Sequence, residues 1–229
     1  MLRLENTVTP SPEQWEAIIR GMRNPMNSWD KSDSVFEYDT YSAEHDWVET
    51  HSCLDLGKAD HELMMKLSSA GSDHAKFRRM IPIYVDIVAP LYWWKEFDAY
   101  KIGTVANSCS TMHKIHDKGF GREDFSVEHI HNLEEHHWMV CMDNTIAALN
   151  VARHRFLETN DKKYWWQMIQ LLPSSYNQRR IIMLNYEVLA NIYKSRRNHK
   201  LTEWHTFCDW IEKLPYSEII IGDKTNGQT

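Results

Sequence analysis

The chain has 229 residues, of which 42% are hydrophobic and 25% charged, so it can bury a core without disulfides or metal and is not disordered as a whole. Its 26 basic and 32 acidic side chains give a formal net charge of −6, which argues against a general nucleic-acid coat or a membrane-surface protein. Eight glycines and seven prolines are about half the usual share, which favours long regular elements, mainly helices.

The first part of the chain is predicted to contain both strands and helices. Ser11 is a suitable N-cap for a helix that begins at Pro12. Apolar and polar residues alternate most clearly at 80–88, where Pro82 indicates an edge strand or a bulge. Residues 26–58 are polar and rich in aromatic side chains, so we expect a long loop with one short helix. The predicted strands are 2–8 and 80–88, and the predicted helices are 12–23 and 60–69.

The second part of the chain is predicted to be mainly helical. Pro90 suits the start of a helix, and Pro173 ends one. The predicted helices are 91–102, 126–158, 162–172, 186–195 and 202–214, with a loop over 103–124. These elements indicate an α+β fold: a single domain over 1–222, with several helices around a modest, mostly antiparallel sheet. We expect residues 223–229 to form a polar, frayed tail.

Cysteine spacing and hydropathy indicate the cellular compartment and the redox environment expected for the protein. The cysteines lack the paired spacing of a zinc ribbon or a thioredoxin motif. The first residues lack the apolar segment of a signal peptide, and no run of about 18 apolar residues is present. We therefore expect a reduced, cytoplasmic protein with no membrane or nucleic-acid partner. The cysteines are Cys53, Cys109, Cys141 and Cys208.

Histidines are concentrated in the middle of the chain. Imidazoles three or four residues apart on a helix can share a metal ion, and nearby glutamates can add oxygen ligands. An exposed polar helix face is the simpler interpretation, because spacing alone is weak evidence for a metal site, and we assign no metal ligand. The residues concerned are His113, His116, His129, His131, Glu134, Glu135, His136 and His137.

Other motifs each have a binding interpretation and a structural one. The Arg-His-Arg triplet at 153–155 suits a phosphate or a flavin, but cations late in a helix also complement its dipole. The tryptophan pairs at 93–94 and 165–166 could stack on a planar ligand, although aromatic side chains at helical spacing more often form core.

A third set combines amides and guanidinium groups. Amides read the donor and acceptor pattern of a heterocycle, and arginines hold phosphate. Together they suit a nucleotide, while solvated arginines and capping asparagines are the structural alternative. The set consists of Arg179, Arg180, Asn185, Asn191, Arg196 and Arg197.

Together with this set of amides and arginines, the spacing of motifs over residues 60–214 resembles that of flavin-dependent thymidylate synthases. That family has a histidine, a strand, Ala-Pro at the head of a helix and then the motif RHRxxSxNxxSxRY. This chain has His74, the predicted strand at 80–88, Ala89-Pro90 and the predicted helix at compatible spacing. Further on, the family has Leu-Pro, arginine, asparagine, leucine, asparagine and arginine, which match Leu172, Pro173, Arg179, Asn185, Leu189, Asn191 and Arg196.

The motif window at 99–112 departs from the family pattern. One cation of the Arg-His-Arg triplet is kept, and the arginine that grips the nucleotide phosphate in the family is lost. The triplet at 153–155 does not replace the motif, because no strand and no Ala-Pro precede it. The changed positions are Ala99, Tyr100 and Lys101 for the triplet, Glu96 for the glutamine before it, Cys109 for the second serine and Thr111 for the later arginine.

The resemblance implies a homotetramer with each flavin held between subunits. In the implied reaction FAD takes hydride from NADPH, methylenetetrahydrofolate supplies the carbon, and dUMP becomes dTMP. The resemblance assigns no catalytic side chain, since the protein supplies placement and electrostatics. It implies FAD binding by His74, Tyr100, Lys101, Asn185 and Asn191, and substrate binding by Glu96, Cys109, Ser110, Arg179 and Arg196.

Two other hypotheses stay open. The first is a catalytically inactive homologue that keeps a nucleotide or flavin pocket, which the degenerate triplet favours. The second is a helical protein whose histidines bind metal. Retention of Arg179, Asn185, Asn191 and Arg196 favours the enzyme, because an idle pocket has no chemical need for them.

Overall fold

The computed structural model describes residues 1–42, 48–131 and 137–222. The predicted tail at 223–229 and residues 132–136 of the histidine-rich stretch therefore lie outside the described residues. The strands are β1 (Arg3–Val8), β2 (Val35–Ser42), β3 (Val48–Asp55), β4 (Pro82–Pro90), β5 (Val105–Ser108) and β6 (Asn177–Asn185). The helices are α1 (Pro12–Arg23), α2 (Lys58–Ser69), α3 (Leu91–Phe97), α4 (Thr111–Lys114), α5 (Trp138–Thr159), α6 (Lys162–Leu171), α7 (Tyr186–Arg196), α8 (Thr202–Ile211) and α9 (Glu218–Ile221).

One sheet has the strand order β1-β4-β6-β5, and β2 pairs with β3 in a separate antiparallel hairpin. Strand β4 follows its predicted alternation, because Ile83, Val85 and Ile87 are buried while Tyr84 is exposed. Pro82 is the first residue of β4, where its missing N–H costs the strand least. The predicted α+β class, with several helices and a modest sheet, is confirmed.

The described chain divides into two compact units, each built from three segments. The first unit contains Met1–Glu5, Asp86–Ala99 and Ala106–Ile181. The second contains Asn6–Val85, Tyr100–Val105 and the residues from Ile182 onward. Neither unit is a continuous stretch of sequence, so the chain is not a tandem of two sequential domains.

The first unit packs α5 and α6 against the loops around α4. Its core cluster consists of Ile115, Phe120, Phe125, Ile146, Leu149, Ala152 and Met168. Trp93 and Trp94 are buried in the same unit beside Phe97, and the Trp94 indole donates to the carbonyl of Gln178 at 3.0 Å. The core interpretation of this tryptophan pair is therefore correct. Trp165 is partly buried against the cluster, while Trp166 is 46% exposed.

The second unit contains a buried charge network, which we call the Asp60 cluster (Arg23, Ser32, Ser34 and Asp60). The Asp60 carboxylate accepts from Arg23 Nε at 2.5 Å and from the hydroxyls of Ser32 and Ser34 at 2.7 and 2.6 Å. Both charged side chains are almost fully buried. The cluster ties α1, α2 and the segment before β2 together.

Helix α1 begins as its sequence predicts. The Ser11 hydroxyl accepts from the backbone N–H of Gln14, and the Gln14 side chain accepts from the backbone N–H of Ser11. This capping box satisfies two N–H groups that the first turn leaves without a helical partner. The Trp15, Ile18 and Met22 side chains are buried, which confirms the predicted apolar face.

Two strand regions differ from the sequence prediction. The expected loop with one short helix at 26–58 contains one 3-10 turn (Trp29–Lys31) and the β2–β3 hairpin, in which Val35 lies opposite Asp55 and Ser42 opposite Val48. Polar residues between the aromatic and β-branched ones obscured that alternation. Strand β6 was not predicted, because its arginines and its unbroken run Ile181-Ile182-Met183-Leu184 hide the period of two.

Three helical predictions were also wrong in extent. The helix predicted at 91–102 ends at Phe97, with Asp98 as its C-cap, and a second turn follows that contains Gly103 at φ +79°. The predicted loop at 103–124 contains β5 and α4. The helix predicted at 126–158 begins only at Trp138. At its expected start the chain is held in an extended pairing, with Phe125 bridged to Tyr176 and Ser126 N–H donating to Ser175 O at 2.9 Å.

Within the described ranges, the helices are too short or too polar to cross a bilayer. Over the same ranges, histidine, cysteine and acidic side chains do not come together in threes as a metal site requires.

Candidate nucleotide site

A cavity of about 420 Å³ lies in the first unit beside β5, α4 and the start of β6, and we call it the β5–α4 cavity. Its wall includes three residues of the predicted substrate set, Cys109, Ser110 and Arg179. This volume is in the usual range for small-molecule sites. The cavity is also lined by Arg3, Thr111, Lys114, Lys118, Phe120, Glu123, Asp124, Tyr176 and Gln178.

Strand pairing holds the polar wall of this cavity in place. Cys109 N–H donates to the carbonyl of Arg179 at 2.9 Å, and Gln178 Nε2 donates to the carbonyl of Cys109 at 3.0 Å. The Ser110 hydroxyl accepts from His113 N–H at 3.0 Å and so caps α4. A hydroxyl that accepts in this way keeps its own hydrogen for donation. Cys109 and Ser110 are exposed, so they are accessible from the cavity.

Arg179 is paired with two carboxylates. Its Nη2 lies 2.8 Å from Asp86 Oδ2 and 2.9 Å from Glu5 Oε2. The hydrogen bond with Asp86 is the main cause that raises the pKa of Arg179. The guanidinium is therefore fixed in position, and most of its charge is balanced within the protein.

An acidic side chain and a tyrosine also line the cavity. Lys118 forms an ion pair with Asp124, which is mostly buried and also accepts from Gly121 N–H at 2.9 Å. The hydrogen bond with Asp124 raises the pKa of Lys118. Burial raises the pKa of Tyr176, so its phenol is neutral around pH 7 and can donate a hydrogen bond. Its ring contacts Phe120 and Phe125 edge to face.

In the second unit, Tyr100, Arg196 and Trp204 form what we call the Arg196 cluster. Arg196 Nε donates to the Tyr100 hydroxyl at 2.9 Å. The guanidinium carbon lies 4.8 Å from the centre of the Trp204 ring and 5.7 Å from that of Tyr100. Cation–π contacts of this kind fix a guanidinium in one orientation.

The turn after Tyr100 approaches Asn185 closely. Asn185 caps α7 by accepting from Val188 N–H at 3.1 Å, as the capping interpretation proposed. A Cβ on Gly103 would lie 3.0 Å from Asn185 Nδ2, so glycine is required for this approach as well as for its positive φ. Lys101 in the same turn is exposed, and Asn191 is exposed on α7.

The remaining predicted residues lie elsewhere. His74 borders a separate cavity of about 260 Å³ in the second unit, together with Met26 and Phe77. Glu96 is half-buried on α3 in the first unit. The structure thus brings Cys109, Ser110 and Arg179 to one cavity, joins Tyr100 to Arg196, and keeps His74 and Glu96 outside both groups.

Sequence reasoning missed several residues of the β5–α4 cavity. Lys114 follows Thr111 by three residues, a spacing that puts both on one helix face once α4 is known. No local sequence pattern indicates Lys118, Tyr176 or Gln178, because strand pairing and the fold of the loop bring these residues to the cavity.

The Arg-His-Arg triplet at 153–155 does not line this cavity. Arg153 donates to the carbonyls of His116 and Asp117 at 2.8 and 3.2 Å. His154 and Arg155 both reach the exposed side chain of Glu158, at 3.0 and 3.3 Å. Arg153 therefore connects α5 to the loop after α4, whereas His154 and Arg155 lie on an exposed face of α5.

No protein-family model matches the chain. Nor does its sequence match any curated protein.

Solved structures do match it along nearly its whole length. One is thymidylate synthase X (ThyX) from Helicobacter pylori with FAD and dUMP, with a TM-score of 0.62 and 14% identity over 96% of this chain and 95% of that one. Another structure of the flavin-dependent thymidylate synthase ThyX from Helicobacter pylori, also complexed with FAD and dUMP, gives a TM-score of 0.62 and 15% identity over 95% of each chain. The chain therefore has the fold of a flavin-dependent thymidylate synthase.

Proposed function

We propose that this protein is a divergent flavin-dependent thymidylate synthase that converts dUMP to dTMP with FAD, NADPH and methylenetetrahydrofolate. The observation that carries the proposal is the fold match over 96% of the chain to a protein solved with FAD and dUMP. The β5–α4 cavity adds support, because it contains residues of the predicted motif window.

The pyrimidine nucleotide would bind in the β5–α4 cavity. Ser110 offers a hydroxyl donor, Arg179 a fixed guanidinium, and Cys109 a thiol on the cavity wall. As the resemblance implies, we further propose substrate-binding roles for Arg196, oriented by its cluster, and for Glu96. Tyr176 provides an aromatic face and a neutral phenol to a planar base.

The donor set of the second unit suits FAD. The amides of Asn185 and Asn191 can hydrogen-bond the edge of a flavin ring, and Lys101 can pair with its pyrophosphate as a point charge. Thr104 Oγ1 is buried and has no hydrogen-bond partner in the ranges that the structure describes, as expected where a ligand or water completes the set. We assign His74 and Tyr100 to the same cofactor. When bound, FAD supplies the hydride-transfer chemistry.

We also propose that the protein is a homotetramer with sites between subunits. Exposed apolar side chains on the two long helices of the first unit are available for contacts between subunits. They are Val140, Val151 and Leu157 on α5 and Trp166 and Leu171 on α6. A cytoplasmic location belongs to the proposal too, in keeping with the four cysteines, which are all free thiols.

A second candidate is a homologue that binds nucleotide or flavin without turnover. The specific observation in its favour is the altered triplet. Ala99 has no polar side chain, and the Tyr100 hydroxyl is engaged by Arg196. Only Lys101 then retains a cation at these positions.

Tritium release from dUMP labelled at C5 separates the two candidates. With FAD, NADPH and methylenetetrahydrofolate present, the proposed enzyme releases tritium above a control that lacks FAD. Binding of FAD and dUMP without release would identify the inactive homologue. Absence of binding to either molecule would contradict both candidates.

A further inference from the structure

The β5–α4 cavity contains more cations than the resemblance assigns to it. Arg3, Lys114, Lys118 and Arg179 all line its wall. The local carboxylates decide which of these cations has charge available for an anionic ligand.

Arg3 and Arg179 are balanced by two acids. Arg179 is bonded to Asp86 and Glu5, and Arg3 Nε lies 3.6 Å from the other oxygen of Glu5. The Asp86 side chain is only 15% exposed. Breaking its contact with Arg179 would leave a poorly solvated carboxylate, so Arg179 is costly to redirect toward a ligand.

Lys118 is balanced by acidic residues that also line the cavity. It is paired with Asp124, whose side chain is 9% exposed. Glu123 also acts electrostatically on Lys118. The ammonium of Lys118 therefore compensates charge that the fold itself buries.

Lys114 differs from Arg179 and Lys118 in having an exposed carboxylate partner, since its own side chain is 69% exposed and Asp117, at 3.2 Å, is 51% exposed. Arg3 also forms an exposed pair, with Glu5, but it lies on β1, whereas Lys114 lies on α4 close to Ser110 and Thr111. Asp117 does not line the cavity, and exposed pairs of this kind contribute little free energy. A phosphate can displace Asp117 from Lys114 without leaving a buried charge behind. Lys114 is also one turn beyond Thr111 on α4, and both line the cavity.

We propose that Lys114 recognises the phosphate of the nucleotide in the β5–α4 cavity, with the Ser110 hydroxyl as a second donor. This inference rests on the proposed function, because it identifies a binding group of the same site. It assigns the phosphate to a lysine that the resemblance does not include, three residues after the position where the family motif has an arginine.

The test compares dUMP with deoxyuridine, which lacks the phosphate. The full chain is titrated with each compound in the presence of FAD by isothermal calorimetry. Lys114→Gln is expected to weaken dUMP binding about 10- to 100-fold, the range for a charged hydrogen bond. It should leave the affinity for deoxyuridine unchanged. Lys114→Arg, which retains the charge, should recover most of the dUMP affinity.

Lys95→Gln is the matched control, since Lys95 is an exposed lysine of the same unit that does not line the cavity. It should bind dUMP like the wild type. Equal dUMP affinity of Lys114→Gln and wild type would overturn the inference and leave the proposed function intact. If wild type bound neither compound, both would fail. Thermal melting of each variant verifies the fold.

Discussion

The Asp60 cluster and the β5–α4 cavity both bring opposite charges together, but their surroundings differ. In the cluster the Arg23 and Asp60 side chains are 4% and 0% exposed, and three side chains donate to one carboxylate. In the cavity the Lys114 side chain and that of its partner Asp117 are 69% and 51% exposed. Buried charges with complete hydrogen bonding serve folding, whereas partly exposed charges with replaceable partners are accessible to a ligand.

The largest expected effect is on the Asp60 cluster, the buried member of this comparison. Asp60→Asn should lower the free energy of unfolding by about 3 kcal/mol, because it leaves Arg23 buried without a counter-charge. Urea denaturation followed by circular dichroism measures the change. Asp143→Asn is the control, since Asp143 pairs with Arg122 at the surface, and it should unfold close to wild type. Equal behaviour of the two variants would contradict the distinction.

The same cluster predicts an acid-dependent loss of stability. Burial raises the pKa of Asp60, but hydrogen bonds from Ser34, Ser32 and Arg23 outweigh it and leave the pKa below the ordinary 3.8. A lowered native pKa stabilises the fold above the unfolded value, and this contribution is lost as pH falls through the native pKa. Unfolding free energies measured from about pH 6 downward should therefore fall less steeply below about pH 4 in Asp60→Asn than in wild type.

Arg196 tests a mixed case, since it is both packed and proposed to bind ligand. Arg196→Ala should weaken dUMP binding by about 1.5–3 kcal/mol if the guanidinium contacts the nucleotide. Tyr100→Phe removes only the hydroxyl that accepts from Arg196, so it should cost stability of about 1 kcal/mol through one lost hydrogen bond. Calorimetric titration and thermal unfolding separate the two quantities. Unchanged dUMP affinity in Arg196→Ala would remove Arg196 from the site.

An effect smaller than that of Arg196→Ala is expected at Gly103, the glycine beside Asn185. Gly103→Ala should destabilise by about 1–2 kcal/mol because of its positive φ, and it should weaken FAD binding because its Cβ displaces the Asn185 amide. Gly71→Ala is matched to it, with φ +103° and open space around the new Cβ. It should lose stability but keep FAD affinity. Equal FAD affinity of the two variants would contradict the proposed contact between Asn185 and FAD.

The sequence predicts helices best where capping and amphipathic spacing agree. Helix α1 was predicted closely because Ser11, Pro12 and Gln14 mark its start and its apolar face is regular. Strand β6 and the extended segment at Phe125 were missed because distant partners decide them, through β-sheet pairing and the bridge to Tyr176. The local hydrophobic periodicity of the sequence does not indicate such long-range pairing.

The same distinction applies to the candidate site. Cys109, Ser110 and Arg179 were found from a motif, and the structure brings them to one cavity. Lys118 and Tyr176 were not found, because they reach that cavity only through the loop after α4 and the bend before β6. His74 fitted the motif by spacing alone, and it borders a different cavity.

The most direct test of the central claim is a visible absorption spectrum of the purified protein, recorded before and after addition of FAD and then dUMP. The account predicts flavin bands from protein-bound FAD that shift when dUMP is added, because the proposed reaction requires both ligands to be bound together. A protein that takes up no flavin at any FAD concentration would keep its fold but contradict the claim that it is a flavin-dependent thymidylate synthase.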